Sequence, residues 1–317
     1  MTSYILRNDS KSGVVKFTDV TAQAAPGLVG VGLVCDALWT DYDGDGWPDL
    51  VLAGEWMPVT VFHNEKGVFQ NVTSGTGVSD HKGWWNSIVA GDFDKDGDID
   101  YIVGNMGENS FYKASMSYPV RAYAGDFDKN GIYDMVPSLY LPDREGKLKE
   151  YPAESRDDML RQINALRKKF PDYKSYAVAT MDDVLGATER KGALVVEATD
   201  FRSCLLRNDG NGRFSLEPLP MQAQLSSING MVAEDVDGDG AVDVVLSGND
   251  YGVEPAVGRY DAFNGLVLKG DGKGGFSPLS ILESGLYLPG DQKSLVSLRG
   301  LVALVCWLRG RTGGRCR

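Results

Sequence analysis

The chain has 317 residues, 43% of them hydrophobic, with a formal net charge of −12 and a sequence pI near 4.7. That length and apolar content suffice to bury a core and exclude a disordered chain. The acidity opposes phosphate backbones and so excludes nucleic acid as a partner, while the longest apolar run, 301–308, is too short for a membrane span.

Taken in chain order, the predicted elements alternate between apolar strands and acidic turns. A strand opening at Ile5 runs into the polar turn Arg7-Asn8-Asp9 and an anchoring Phe17. Ala37-Leu38-Trp39 then leads into a nine-residue loop with Asp41, Asp43, Asp45 and Asp49 at positions 1, 3, 5 and 9, followed by Leu50-Val51-Leu52. Val61-Phe62-His63-Asn64 with Phe69 repeats the opening pattern of strand, turn and Phe. The second loop carries Asp92, Asp94, Asp96, Asp98 and Asp100, between Ile88-Val89-Ala90 and Tyr101-Ile102-Val103. The third carries Asp126, Asp128, Asn130 and Asp134. The fourth carries Asp235, Asp237, Asp239 and Asp243, between Met231-Val232-Ala233 and Val244-Val245-Leu246. Further strand–turn–Phe segments run from Leu205 to Phe214 and from Val267 to Phe276. Short apolar runs rich in β-branched residues and bounded by Gly and Asp read as buried strands.

The interval from loop three to loop four, 126 to 235, is more than twice either earlier interval, so it holds an insertion. Within Tyr151 to Leu185, Met159, Ile163, Leu166 and Phe170 recur at helical spacing, which predicts an amphipathic helix in a helical insertion over about 151–190. No apolar leader precedes the first strand, and residues 301–317 form an atypical Arg-rich tail, so both ends read as cut. Four scattered cysteines, Cys35, Cys204, Cys306 and Cys316, make neither a disulfide framework nor a zinc site.

All four loops fit D-x-D-x-[DN]-G-x-x-D, and that pattern suits calcium. Ca²⁺ takes hard oxygen ligands in flexible geometry. Carboxylates at positions 1, 3 and 5 can curl round one ion, and Gly46, Gly97, Gly131 and Gly240 at position 6 permit the sharp turn. The position-7 carbonyls of Trp47, Asp98, Ile132 and Ala241 and the position-9 aspartates close the sphere. An EF-hand would need Glu at position 12, where Leu52, Val103, Pro137 and Leu246 stand instead. Simple Asx turns are the competing reading, but clustered carboxylates repel without a cation. Up to four Ca²⁺ are therefore expected, bound most weakly in the third loop, where Asn130 replaces a carboxylate. His63 and His81 belong to no catalytic motif, and His63 reads as packing or surface rather than as a ligand.

The strand–loop–strand unit resembles the FG-GAP or VCBS repeat of integrin α-subunits and many bacterial extracellular proteins. The segments at Ala53–Pro58, Gly83–Ser87, Gly104–Asn109 and Gly258–Asp261 look like the ASPIC/UnbV and cartilage acidic protein group. The resemblance implies an all-β fold: a β-propeller of four-stranded blades over residues 1–300, in an exported or cell-envelope protein. Four loop-bearing blades plus partial ends read as a fragment of a larger ring. In such a propeller, Glu55, Trp56, Trp84, Trp85, Asn86, Asn105 and Asn249 would lie on the face opposite the metals, where indole and amide groups suit a glycan or protein ligand. Packing anchors are the other reading of those Trp residues. The implied function is a non-enzymatic adhesion or binding module. The alternatives are a calcium-dependent polysaccharide-active enzyme of lyase type and a purely structural scaffold.

Overall fold

The computed structural model describes residues 3–253, 257–299 and 305–311. The protein is mostly antiparallel sheet with few helices. β1 (Leu6–Asn8) pairs with β2 (Phe17–Asp19). β3 (Leu33–Thr40), β4 (Asp49–Pro58), β5 (Thr60–Glu65) and β6 (Val68–Asn71) form the first sheet in that order, with β7 (Lys82–Trp84) added to β4. β8 (Ser87–Gly91) and β9 (Asp100–Gly104) begin a second sheet. In sequence it is interrupted by β10 (Val120–Gly125), β11 (Asp134–Pro142), β12 (Leu148–Pro152) and β13 (Leu194–Ala198), and it is completed by β14 (Cys204–Asn208) and β15 (Phe214–Pro218). β16 (Ile228–Glu234), β17 (Asp243–Gly248), β18 (Leu266–Gly270) and β19 (Phe276–Leu279) form a third sheet, and β20 (Gln292–Arg299) pairs with β21 (Val305–Arg311). Among the described residues no sheet closes on itself. No described helix is long and apolar enough to cross a membrane, which says nothing of a β-barrel.

The chain divides into two compact units, residues 1–111 with 201–317 and residues 112–200. In the first, four sheets follow one another, with β3 packed against β8, β8 against β16 and β16 against β20. Because strand side chains alternate, each sheet feeds two cores. Val51, Val61, Trp85, Tyr101, Val103 and Leu206 share one cluster, while Ile102, Leu205, Ile228, Val244 and Leu246 share the next. Leu50, Leu52 and Phe62 turn to the far side of the first sheet, and Val245 packs with Leu295. Burial on both faces is why these strands read as continuous apolar runs rather than alternating ones. Polar ties bridge the sheets as well: Thr40 Oγ1 and Tyr101 Oη lie 2.9 Å apart, and Ser87 Oγ donates to Ile228 O at 2.9 Å.

In the second unit the strand order is β12-β11-β10-β13, with the third acidic loop joining the two central strands. Four short helices, Arg156–Gln162, Leu166–Lys169, Tyr173–Tyr176 and Met181–Val184, replace the single predicted helix. Thr180 and Asp183 form a capping box at the last of them, and Ser155 and Asp172 cap the first and third. Met159, Ile163, Leu166 and Phe170 are buried against Tyr123 and Val136, as their spacing predicts.

The order of the sheets along the chain therefore differs from the expected one. The third loop belongs to a sheet of its own, and the Leu205–Phe214 segment pairs with β9 of the second loop. Of the Arg-rich tail, residues 305–311 form β21, while 301–304 and 312–317 lie outside the described residues.

Trp85 is 0% exposed between the first and second sheets, so its substitution tests that core. Trp85→Ala should cost about 3–5 kcal/mol, the usual loss for truncating a buried large aromatic, read as a lower denaturant midpoint at unchanged slope.

Candidate metal centres and ligand face

Each loop links the first two strands of its hairpin, and its own carboxylates fold it. Position 5 accepts from the position-7 N–H in all four loops: Asp45 from Trp47 at 2.8 Å, Asp96 from Asp98 at 2.9 Å, Asn130 from Ile132 at 2.7 Å and Asp239 from Ala241 at 2.8 Å. Asp41, Asp126 and Asp235 at position 1 each accept from the Gly N–H at position 6, at 2.9 Å. Position 6 has φ between +85° and +97° in all four loops, which glycine adopts without strain. Position 4 is left-handed as well, with Gly44 and Gly238 in two loops but Lys95 (φ +61°) and Lys129 (φ +60°) in the others. The sequence pattern singled out only position 6.

The turns do not use up the carboxylates. Asp41, Asp43 and Asp45 bring one oxygen each within 4.8 Å of one another, and so do Asp92, Asp94 and Asp96, and Asp235, Asp237 and Asp239. In the third loop the converging set is Asp126, Asp128 and Asp134. Asp92 Oδ1 and Asp128 Oδ1 are buried with no hydrogen-bond partner. A buried, unpaired carboxylate oxygen is costly, and hard oxygens gathered so closely fit a Ca²⁺-class cation. These acidic clusters can hold metal ions.

The position-9 aspartates have a second task. Asp49, 0% exposed, accepts from Tyr42 N at 3.2 Å and Asn64 N at 2.7 Å. Asp100 accepts from Phe93 N at 3.2 Å and Asn208 N at 2.8 Å, and Asp243 from Val236 N at 3.0 Å and Gly270 N at 2.9 Å. Each of these three pins its loop to the third strand. Asp134 accepts from Phe127 N at 3.2 Å inside its own loop. A carboxylate offers about four lone-pair sites, so two amides leave room for a cation. Burial pushes Asp49, Asp100 and Asp134 up, and the neighbouring loop carboxylates add to it against the pull of the backbone donors. Asp100 reaches about 6.

Residues 41–103 match the family model for the FG-GAP-like repeat, a span that takes in the first two loops and the strands between them. Residues 41–103 carry an FG-GAP-like repeat. No curated protein matches the sequence. Among solved structures, this chain is 16% identical to one described as the basis of specific recognition of non-reducing terminal N-acetylglucosamine by an Agrocybe aegerita lectin. That match covers 86% of this chain and 73% of the other at a TM-score of 0.20, which carries no argument about fold or ligand.

One loop neighbour does more than its sequence pattern indicates. His63 does not simply pack: its Nδ1 is buried without a hydrogen-bond partner, 3.1 Å from Asp43 Oδ2 and 3.4 Å from Asp49 Oδ1. A histidine one residue before the Asn of a strand–turn segment was the available signal.

The residues expected on the ligand face separate into two groups. Trp85 is core and offers no face to a ligand. Asn105, 0% exposed, accepts from Trp84 N and Met106 N and donates to Arg202 O. Asn249, 1% exposed, donates to Phe263 O and Gly290 O and accepts from Phe263 N. Both amides are internal latches, a correction that their burial compels. Trp56, Trp84, Glu55 and Asn86 stay half-exposed. Trp56 and Trp84 meet edge to face at 5.0 Å, with Phe201 4.7 Å beyond Trp84. Trp56 is held at φ +60°, an uncommon conformation for a bulky residue. Burial, then the charge of Asp250, raises the Glu55 pKa. Asn86 Nδ2 donates to Ser227 Oγ at 2.9 Å.

The raised Asp100 pKa has a definite sign. The folded, metal-free state binds this proton more tightly than the unfolded chain, whose Asp titrates near 3.9. Its contribution is therefore present below about pH 4 and lost as pH rises through about 6. Without metal, Asp100→Asn should remove part of a fall in melting temperature between pH 4 and pH 6.5, measured by thermal scans across that range.

Proposed function

We propose that this chain is a calcium-stabilised segment of a β-propeller, acting outside the cytoplasm as a non-enzymatic module that binds a glycan or a protein. The observation that carries the calcium reading is the pair of buried, partnerless oxygens, Asp92 Oδ1 and Asp128 Oδ1, inside clusters that already gather three carboxylates. A dication there satisfies those oxygens and cancels the repulsion that otherwise opposes closing the hairpin. The ligands on this reading are positions 1, 3, 5, 7 and 9 of each loop. The ion's role is structural: it stiffens the turn that sets the pairing of the first two strands.

Support for the propeller comes from the serial packing of four-stranded sheets through their first strands, β3, β8 and β16, with β20 continuing the series. Location outside the cytoplasm follows the habit of FG-GAP repeats, as does the absence of enzymatic activity, and the narrower likeness to ASPIC/UnbV relatives belongs to the same reading. For the binding face we retain Trp56 and Trp84 with Glu55 and Asn86. Two half-exposed indoles beside a carboxyl and an amide suit a sugar ring or a peptide.

Calcium should raise the melting temperature and EDTA should lower it, because a ligand of the native state stabilises by mass action. Asp92→Asn should reduce the calcium-induced shift without abolishing it, since other loops persist. Identical melts in calcium and in EDTA would reject the metal assignment.

A further inference from the structure

The third strand of each loop-bearing sheet in the first unit places a basic residue at the same point. His63, Arg207 and Lys269 each immediately precede the residue whose N–H binds the position-9 aspartate, namely Asn64, Asn208 and Gly270. Each basic group reaches the position-3 aspartate of its own loop. His63 Nδ1 lies 3.1 Å from Asp43, Arg207 Nε lies 3.8 Å from Asp94, and Lys269 Nζ contacts Asp237 and lies 3.0 Å from Asp239. The placement repeats while the chemical group changes, so it belongs to the repeat rather than to one surface pair. In the second unit, no described basic group pairs with Asp126, Asp128 or Asp134, and Asp128 Oδ1 is left without a partner.

We propose that these third-strand side chains are resident counter-charges that compete with the metal ion for the position-3 carboxylate and so grade the loops. The proposal rests on the calcium reading above. The three groups are unequal competitors. Lys and Arg carry a fixed positive charge and no lone pair, so they can only be displaced or repel. A neutral imidazole has a lone pair and can join the ligands instead. Lys269 bridges two of the three clustered carboxylates, and Lys95 adds a second positive charge near Asp239. The fourth loop is thus the last to fill. The third loop, with no resident cation, fills ahead of it despite Asn130, the reverse of what a count of carboxylates predicts.

The test is equilibrium dialysis of the whole chain against radiolabelled calcium, for the parent, Lys269→Met and Lys269→Arg, with circular dichroism to confirm folding. Lys269→Met should leave the number of ions unchanged and tighten the weakest step roughly fivefold to tenfold, the effect of removing one close but partly exposed charge. It should also lower the metal-free melting temperature, while Lys269→Arg stays near the parent. A Lys269→Met protein that binds calcium no more tightly overturns the proposal and leaves the calcium reading standing. A parent chain that binds no calcium overturns both. Should Lys269→Met fail to fold without metal, Arg207→Met makes the same test at the second loop, with the same two outcomes.

Discussion

Three sheets of the first unit hang on one kind of contact: a buried carboxylate gripping two backbone amides. Asp49, Asp100 and Asp243 each hold an N–H from within the acidic loop and another from the third strand. A neutral side chain could not accept both so strongly, because hydrogen bonds to an ionised group are shorter and stronger than neutral ones. The same ionisation is opposed by burial and by the neighbouring aspartates, which push Asp49 and Asp100 up. The loop thus joins a buried carboxylate that staples the fold to neighbouring charges that oppose its ionisation. A cation, whether a metal ion or a side chain such as Lys269, relieves that conflict without breaking the staple.

This arrangement explains how the sheets pack. With the loop pinned to the third strand, β4 runs straight from Asp49 into Leu50-Val51-Leu52, whose side chains alternate between two cores. The same happens from Asp100 into Tyr101-Ile102-Val103, where Ile102 faces one core and its neighbours the other. Asn208 extends the tie, for its Nδ2 donates to Tyr42 O of the preceding loop at 2.7 Å.

The loops and flanking strands were legible because their signals are local. Spacing within nine residues fixes the turn, and apolar runs of three or four residues fix doubly buried strands. The pairing of β9 with β14 was not legible, because its partners are separated by a whole compact unit and nothing in the local pattern marks a detour. The role of Trp85 was undecidable for a related reason: an indole beside Trp84 looks the same in sequence whether it faces solvent or the core. Asn105 and Asn249 misled because a buried amide with every group bonded leaves no trace in composition. The basic residue before each third-strand anchor was visible at His63, Arg207 and Lys269, but its meaning needed the geometry that brings it onto the loop.

The detour between β9 and β14 bears on how the second sheet is assembled. Asn105 N donates to Ser203 Oγ across 98 residues of chain, and Gly107 N donates to Phe201 O at 2.7 Å. Closing a flexible loop of that length costs conformational entropy that grows by about 0.6 kcal/mol per doubling. A compact intervening segment shortens the effective loop to the few residues at its two ends. The strands of the second sheet are therefore best joined after residues 112–200 have condensed. During synthesis, the first half of that sheet must wait with an unpaired edge, a state open to association with other chains.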